Sequence, residues 1–268
     1  MNLQEIQTRE TWLYHINPSL KLVSIMSLFI FLLFVHDLNW IIFITLGFFL
    51  LVWIFSGFSK KLLLLLFLPF LFVFFSTSTS MMFFGKGDTT WFQWGLVHIT
   101  EESFFRGVHL GVRAFVFAIL GLLFALTTRP VNLFYSLMQQ LHLRPQYAYS
   151  FMAGIRLIPI MIEEFFTIRN AMKVRGVVEQ KGLKGVWYKV KSYTIPLLAQ
   201  SIRRAHRIAV AMETKRFVGV KERTYFYKIG FSKHDSYFLI VITLIILSSY
   251  YLSITLPFFP IEDVRYTS

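Results

Sequence analysis

The sequence contains no cysteine among its 268 residues. This absence excludes a disulfide framework, a thiolate nucleophile and a cysteine-based zinc site. Charged residues are also scarce, at 15% of the chain, whereas globular domains typically carry about 25%. Hydrophobic residues reach 56% and aromatic residues 18%. A soluble domain of this length could not bury so much apolar surface, so the composition predicts an integral membrane protein.

Acidic residues are few in the segment where basic residues are concentrated. Of the 27 Lys and Arg residues, 19 lie between Arg129 and Lys233 with only five acidic residues, which gives this segment a net charge of +14. The segment lies between apolar runs, where the positive-inside bias and attraction to anionic lipid account for such charge. We therefore expect membrane lipid, and no nucleic acid, as a partner of this charge.

Long apolar runs occupy much of the remaining chain. About 20 mostly apolar residues are needed for a helix to span a bilayer. Five candidate spans follow from this criterion, namely Leu20–Val35, Trp40–Phe55, Leu62–Phe75, Phe104–Leu126 and Ser236–Leu256. Between the third and fourth spans we expect a polar loop over 76–102 that holds an interfacial segment.

Loop charges predict the orientation of these spans. Lys60 and Lys61 follow the second span and Arg129 follows the fourth, whereas Asp37 and Asp88 lie in the loops after the first and third. Basic loops face the cytoplasm. We therefore expect a multi-pass protein of the cell membrane, with the N-terminus and the whole basic segment on the cytoplasmic side.

Helical signals dominate the basic segment. Pro130 and Pro145 each suit the first turn of a helix, where no backbone donor is needed. From Pro145 onward, apolar residues recur every three or four positions, which predicts a long amphipathic helix kinked at Pro159 and ending near Gly176. A second long helix is predicted to begin near 186 or 193 and to end near 217.

The two long helices resemble each other at an offset of 40 residues. The identical pairs are Ile162/Ile202, Ile168/Ile208, Ala171/Ala211 and Met172/Met212. Arg175 falls opposite Lys215, so both helices end on Ala-Met-x-x-Arg/Lys. The helix dipole alone favours a cation in the last turn. Two interpretations follow, either simple capping of each helix or two cationic tips that reach acidic pockets on a partner with two equivalent sites, such as an ATPase dimer.

Small residues recur in the fourth predicted span at spacings of three and four. They are Gly107, Gly111, Ala114, Ala118, Gly121 and Ala125. This spacing keeps them on one stripe of the helix, where another helix can approach closely. The stripe fits either an internal contact of the bundle or a face on which a second membrane protein docks.

In these motifs the sequence resembles the T components of energy-coupling-factor (ECF) importers, a family that includes the cobalt-transport permeases. The matching stretches are Ile16–Lys21, Gly154–Pro159, Glu163-Glu164, Ala171–Gly176, Ile195–Leu198, Ser201–Ala205 and Ala211–Glu213. The family usually has Ala where this chain has Val174, and Arg-Gly where it has Lys215-Arg216. The resemblance covers nearly the whole chain.

The resemblance implies an all-α integral membrane protein, with about five transmembrane helices and long amphipathic cytoplasmic coupling helices inserted before the last span. Residues 1–128 would form a four-span bundle, 129–234 the basic coupling region, and 235–268 the final span with a short external tail. Two ABC ATPases would hydrolyse ATP, and a small substrate-binding membrane protein, the S component, would capture a vitamin or metal ion. This chain would be no enzyme and would hold no cofactor, metal or catalytic residue.

The resemblance also implies roles for particular residues. ATPase coupling falls on Ala171, Val174, Arg175, Gly176, Ala211, Glu213, Lys215 and Arg216. A structural role within the coupling helices falls on Arg156, Pro159, Glu163, Glu164, Pro196, Arg203 and Arg204. Because Lys lacks the bidentate fork of Arg, both Lys215 and Arg216 remain candidates for the second anchor.

Three other classes of function compete with a coupling subunit. A membrane-anchored binding scaffold requires that no ATPase associates with the chain. A membrane enzyme is disfavoured because the seven histidines form no recognisable ligand spacing and no P-loop is present. A conventional ABC-importer permease, lining its own substrate path, is disfavoured because its Glu-Ala-Ala loop is not visible. The permease remains the alternative to a coupling subunit.

Overall fold

The computed structural model describes residues 9–85, 89–94, 97–176, 182–215, 217 and 224–259. The elements within these ranges are a 3₁₀ helix Trp12–His15, α1 Pro18–Phe34, α2 Leu38–Phe55, α3 Lys60–Phe84, β1 Thr90–Trp94, β2 Val97–Thr100, α4 Glu101–Thr127, α5 Pro130–Gln140, α6 Pro145–Val174, α7 Leu183–Thr214 and α8 Lys233–Thr255. The all-α class predicted from the sequence is confirmed, with one small β-hairpin added.

Four helices in the described ranges are long and apolar enough to cross a membrane, namely α2, α3, α4 and α8. The apolar helix α1 has 17 residues and falls just below that length. Its start is set by Pro18 and by the Asn17 side chain, which accepts a hydrogen bond from the Ser19 N–H. The prediction of a multi-span membrane protein is confirmed, while a fifth span at α1 stays a prediction.

The end of α3 differs from the sequence prediction. A polar loop was predicted from Ser76, but α3 continues to Phe84. The Thr77 and Thr79 hydroxyls donate to carbonyl oxygens one turn earlier, those of Val73 at 2.8 Å and Phe75 at 2.6 Å. Hydroxyls that bond within the helix in this way do not interrupt it, so the first part of the loop prediction was wrong.

The rest of that loop contains the antiparallel hairpin of β1 and β2, in which Thr90 lies opposite Thr100. Helix α4 follows directly, three residues earlier than predicted. Thr100 and Ser103 form a reciprocal capping box at its start.

The chain divides into two compact units. The bundle unit comprises Met1–Ser136 and Ile229–Ser268, and the two-helix unit comprises Leu137–Lys228. The sequence-based boundaries at 129 and 234 describe membrane sidedness and stay a prediction.

The core of the bundle unit lies among α1, α2, α3, α4 and α8. Its fully or nearly fully buried side chains include Leu32, Ile44, Phe48, Leu63, Ile119 and Phe238. Helix α2 passes close to α8 at Gly47, where a Cβ would lie 2.7 Å from the Ile245 side chain. Apolar side chains such as Ile30, Phe72 and Leu244 face outward at 60% exposure or more, as expected of surfaces covered by lipid.

Candidate functional site

The candidate coupling residues lie on α6 and α7, the two long helices of the two-helix unit. Helix α6 begins at Pro145, as predicted, and contains Pro159. Helix α7 begins at Leu183, earlier than predicted, because Gly182 turns the chain with a φ of 88° and the helix starts directly after it. Pro196 lies within α7.

The two helices end in the same local structure. The Arg175 N–H donates to the Ala171 carbonyl at 3.1 Å, and the Lys215 N–H donates to the Ala211 carbonyl at 3.3 Å. The backbone angles at these two cap residues also agree, with φ and ψ of −74° and 1° at Arg175 and of −82° and 12° at Lys215. The repeat seen in the sequence is therefore a repeat of structure at both helix ends.

The residues at both helix ends are exposed. On α6 these are Ala171, Val174, Arg175 and Gly176, and on α7 they are Ala211, Glu213 and Lys215. Val174 is 88% exposed, and Gly176 has a positive φ of 66°, which suits the residue after a helix end. The other candidate anchor, Arg216, lies outside the described residues.

The residues predicted to be structural in these helices divide into two groups. The Arg204 guanidinium forms an ion pair with the Glu164 carboxylate. Their neighbours Glu163 and Arg203 are exposed, as is Arg156. The sequence shows a pair of adjacent acids and a pair of adjacent bases, but it does not predict which acid contacts which base.

Aromatic contacts add to this ion pair within the two-helix unit. The Phe165 ring lies 5.2 Å from the Tyr193 ring, and the Tyr149 ring lies 5.4 Å from the Phe217 ring, measured between centroids. Such contacts contribute roughly 0.5–1.5 kcal/mol each beyond area burial.

Large apolar side chains of α6 and α7 remain exposed between these contacts. They include Phe151, Ile158, Ile162, Phe166, Ile195, Leu198 and Ile202, each at least half exposed. Exposed apolar surface on a polar segment is typical of regions that bind proteins or membranes. The 3–4 periodicity of the sequence could have identified it.

The small-residue stripe of α4 has two different environments. A Cβ on Gly107 would lie 2.7 Å from the Ser78 carbonyl oxygen, and one on Gly111 would lie 3.0 Å from the Phe74 ring. These two glycines therefore permit close packing of α4 on α3. Gly121 has nothing within 4 Å of such a Cβ, and Gly121 and Ala125 are exposed. Ala114 and Ala118 are half-buried.

A buried lysine joins three segments of the bundle unit. Lys21 in α1 is 1% exposed. Its Nζ donates to the Leu13 carbonyl at 2.7 Å, the Thr127 carbonyl at 3.1 Å and the Thr127 hydroxyl at 3.0 Å. All three ammonium donors thus have acceptors. The side chain connects the 3₁₀ helix, α1 and the end of α4.

Tyr14 makes a second connection in the same region. Its hydroxyl lies 3.1 Å from the Ser56 carbonyl oxygen and 3.0 Å from the Leu126 carbonyl oxygen. Burial raises the pKa of Tyr14 to about 12, so the hydroxyl keeps its proton at physiological pH and can donate to either carbonyl.

A buried polar cluster surrounds Asn17, just before α1. The Asn17 N–H donates to an Asp235 carboxylate oxygen at 2.7 Å, and the Asn17 amide donates to the Gly230 carbonyl at 3.3 Å. The Ser136 hydroxyl lies 2.8 Å from the Asn17 amide oxygen and 3.1 Å from the Ser19 N–H, which donates to it. The Asn-Pro-x-x-Lys motif is visible in the sequence, but this network is not, because Ser136, Gly230 and Asp235 lie 119 to 218 residues from Asn17.

Histidines approach each other in two places. The ring centroids are 5.9 Å apart for His15 and His234 and 6.5 Å apart for His36 and His109. Within the described part of the chain, no group of three or more His, Asp or Glu side chains is placed to hold a metal ion.

A family model described as cobalt transport protein, CbiQ, matches residues 9–226. The chain is similar to energy-coupling factor transporter transmembrane proteins EcfT from several bacteria. The relative from Brevibacillus brevis is 27% identical over 248 residues, which is 89% of this chain and 92% of the relative.

Two further relatives carry the same description. The protein from Listeria innocua is 29% identical over 232 residues, covering 81% of this chain and 84% of the relative. The protein from Streptococcus thermophilus is 30% identical over 190 residues, covering 67% and 71%.

Proposed function

The chain belongs to the cobalt transport protein family, CbiQ, and from this premise we propose that it is the energy-coupling transmembrane subunit of an ECF-type importer. In this role it binds two ABC ATPases and a small substrate-binding membrane protein, and transmits ATP-driven movement between them. The chain itself performs no catalysis. The nature of its relatives, described as transmembrane proteins of ECF transporters, supports the proposal.

The observation that carries the proposal is the matched pair of helix ends. Arg175 and Lys215 occupy equivalent positions, have the same backbone conformation and are exposed. A partner with two equivalent acidic grooves, such as an ATPase dimer, could accept one cation in each. A charge-assisted contact of this kind is about twice as strong as a neutral hydrogen bond.

The proposed orientation has the two-helix unit in the cytoplasm. The net charge of +14 on 129–234 supports it, since basic segments are retained on that side. The exposed apolar side chains of α6 and α7 would then be covered by partner proteins, and those of the bundle unit by lipid.

The exposed end of the α4 stripe is the part that supports docking of a second membrane protein. Gly121 and Ala125 leave space for a helix of the S component to approach. Gly107 and Gly111 are occupied by α3, so the proposed docking face begins beyond them.

The test is affinity purification of the tagged full-length chain from its native host, followed by mass spectrometry. We compare the wild type with Arg175→Ala, and use Arg169→Ala as the matched control because Arg169 is an exposed cation earlier on α6. The wild type and the control should bring down two ATPase subunits and a small membrane protein. Arg175→Ala should lose most of the ATPase.

Variants of the second helix end extend the same experiment. Lys215→Ala and Arg216→Ala, made separately, should identify the second anchor by loss of ATPase in one of them. A chain that purifies without an ATPase would contradict the proposal. Two copies of the chain per ATPase pair would instead favour a conventional permease.

A further inference from the structure

An ion pair joins the two helices of the two-helix unit at equivalent positions of their repeat. Glu164 lies on α6 and Arg204 lies 40 residues later on α7, which equals the offset of the repeat. The two side chains are 17% and 28% exposed. Partial burial reduces the screening of such a pair by salt.

The contact joins residues that are equivalent in the repeat. Glu164 and Arg204 hold the same position in the two copies, so the ion pair links α6 and α7 at the same distance along each helix from its cationic end.

The position also has a consequence for charge. Identical ionised residues would repel each other at such a contact, because like charges in close contact are unfavourable. The repeat has Glu163-Glu164 in its first copy and Arg203-Arg204 in its second. Opposite charges at this position turn a repulsive contact into an attractive one.

The ion pair is equally distant from the two cationic ends. Glu164 precedes Arg175 by eleven residues, and Arg204 precedes Lys215 by eleven residues. At 1.5 Å per residue each arm is about 16 Å long. A change in the angle between the helices at the ion pair would therefore move both ends by similar amounts.

We infer that Glu164 and Arg204 are positioning residues that fix how α6 packs against α7, and with it the spacing between Arg175 and Lys215. This inference rests on the proposed function, in which each helix end must reach one ATPase subunit and the spacing between the ends therefore matters. The pair itself touches neither ATP nor the transported substrate.

The spacing can be measured without any partner. The chain has no native cysteine, so spin labels attached at Lys173→Cys and Glu213→Cys occupy two sites only. These positions are exposed, are equivalent in the repeat and lie two residues before Arg175 and Lys215. Pulsed electron paramagnetic resonance on the full-length chain in lipid nanodiscs then gives the distribution of distances between the two ends.

Six backgrounds are compared in this labelled chain. They are the wild type, Glu164→Gln, Arg204→Gln, the exchanged pair Glu164→Arg with Arg204→Glu, and the exposed neighbours Glu163→Gln and Arg203→Gln as two controls for charge. We expect a narrow distribution in the wild type and in both controls. Glu164→Gln and Arg204→Gln should shift or broaden it, and the exchanged pair should restore it.

A functional readout on the reconstituted importer accompanies the distances. In Glu164→Gln and Arg204→Gln the amount of substrate transported per ATP hydrolysed should fall, and the exchanged pair should recover it. Distances that are the same in Glu164→Gln and Glu163→Gln would overturn the inference, as would an exchanged pair that behaves like the single variants. Both of these outcomes can be read from the distances alone, which do not depend on whether the affinity purification finds an ATPase, so failure of the two proposals can be told apart.

Discussion

The two units of the chain differ in where their apolar side chains lie. In the bundle unit, buried side chains from five helices form one cluster. In the described part of the two-helix unit, Met138 and Ala148 are the buried apolar residues, while Ile158, Ile162 and Ile202 are 52–67% exposed. The bundle unit thus has a core of its own, and the two-helix unit is held by a few side-chain contacts. A pair of amphipathic helices whose apolar side chains stay exposed is suited to binding partners that cover those side chains.

Replacement of Lys21 by Met should have the largest effect on stability. Two backbone carbonyls and a hydroxyl would lose their buried donor, at a cost of about 1–3 kcal/mol for each unsatisfied group. We expect Lys21→Met to destabilise the protein by about 4 kcal/mol in total, measured by thermal unfolding in detergent. Lys61→Met, at an exposed lysine, is the control and should change stability by less than about 0.5 kcal/mol. Equal melting of the two variants would refute the role assigned to Lys21.

A matched pair of isoleucines tests the contrast between the units directly. Ile119 on α4 is 0% exposed and Ile202 on α7 is 67% exposed. Ile119→Ala should cost about 3 kcal/mol through lost burial and a cavity, whereas Ile202→Ala should change stability by less than about 0.5 kcal/mol. Thermal unfolding of both variants in the same detergent measures the difference. A large loss at Ile202 would mean that the two-helix unit buries this side chain.

Substitutions at two glycines of α4 are expected to show the smallest changes in stability. Gly107→Ala should destabilise the bundle unit by about 2 kcal/mol, because the new methyl group meets the α3 backbone. Gly121→Ala should be neutral or stabilise by up to about 1 kcal/mol, since it adds helix propensity in open space. Thermal unfolding measures both effects.

A larger substitution at the second glycine tests docking. Gly121→Leu should leave the isolated chain stable but reduce recovery of the small membrane protein in affinity purification. Undiminished recovery would exclude this part of α4 from the docking face.

Much of the fold follows from local sequence rules. Pro130 and Pro145 set the starts of α5 and α6 because proline is favoured in a first helical turn. The run of Ser and Thr from Ser76 was misleading, since such residues favour loops unless their hydroxyls bond back to the helix. That choice depends on geometry which the sequence does not display.

The sequence predicts the two helix ends of the candidate site but not the contact between the two helices. Arg175 and Lys215 stand out because the repeat places them in register. The pairing of Glu164 with Arg204 was not evident, because adjacent acids and adjacent bases give two candidates each and only the packing of α6 against α7 selects one. The buried donors of Lys21 were likewise hidden, since their acceptors lie on residues distant in sequence.

The cluster around Asn17 makes the two-helix unit an insertion in the topological sense. Ser136, the last residue of the first part of the bundle unit, and Gly230, near the start of the second part, both contact the Asn17 side chain. The chain therefore leaves and re-enters the bundle unit at neighbouring points, an arrangement in which a host domain tolerates an inserted segment. The junction at Asn17 thereby ties together the two parts of the bundle unit that flank the inserted segment.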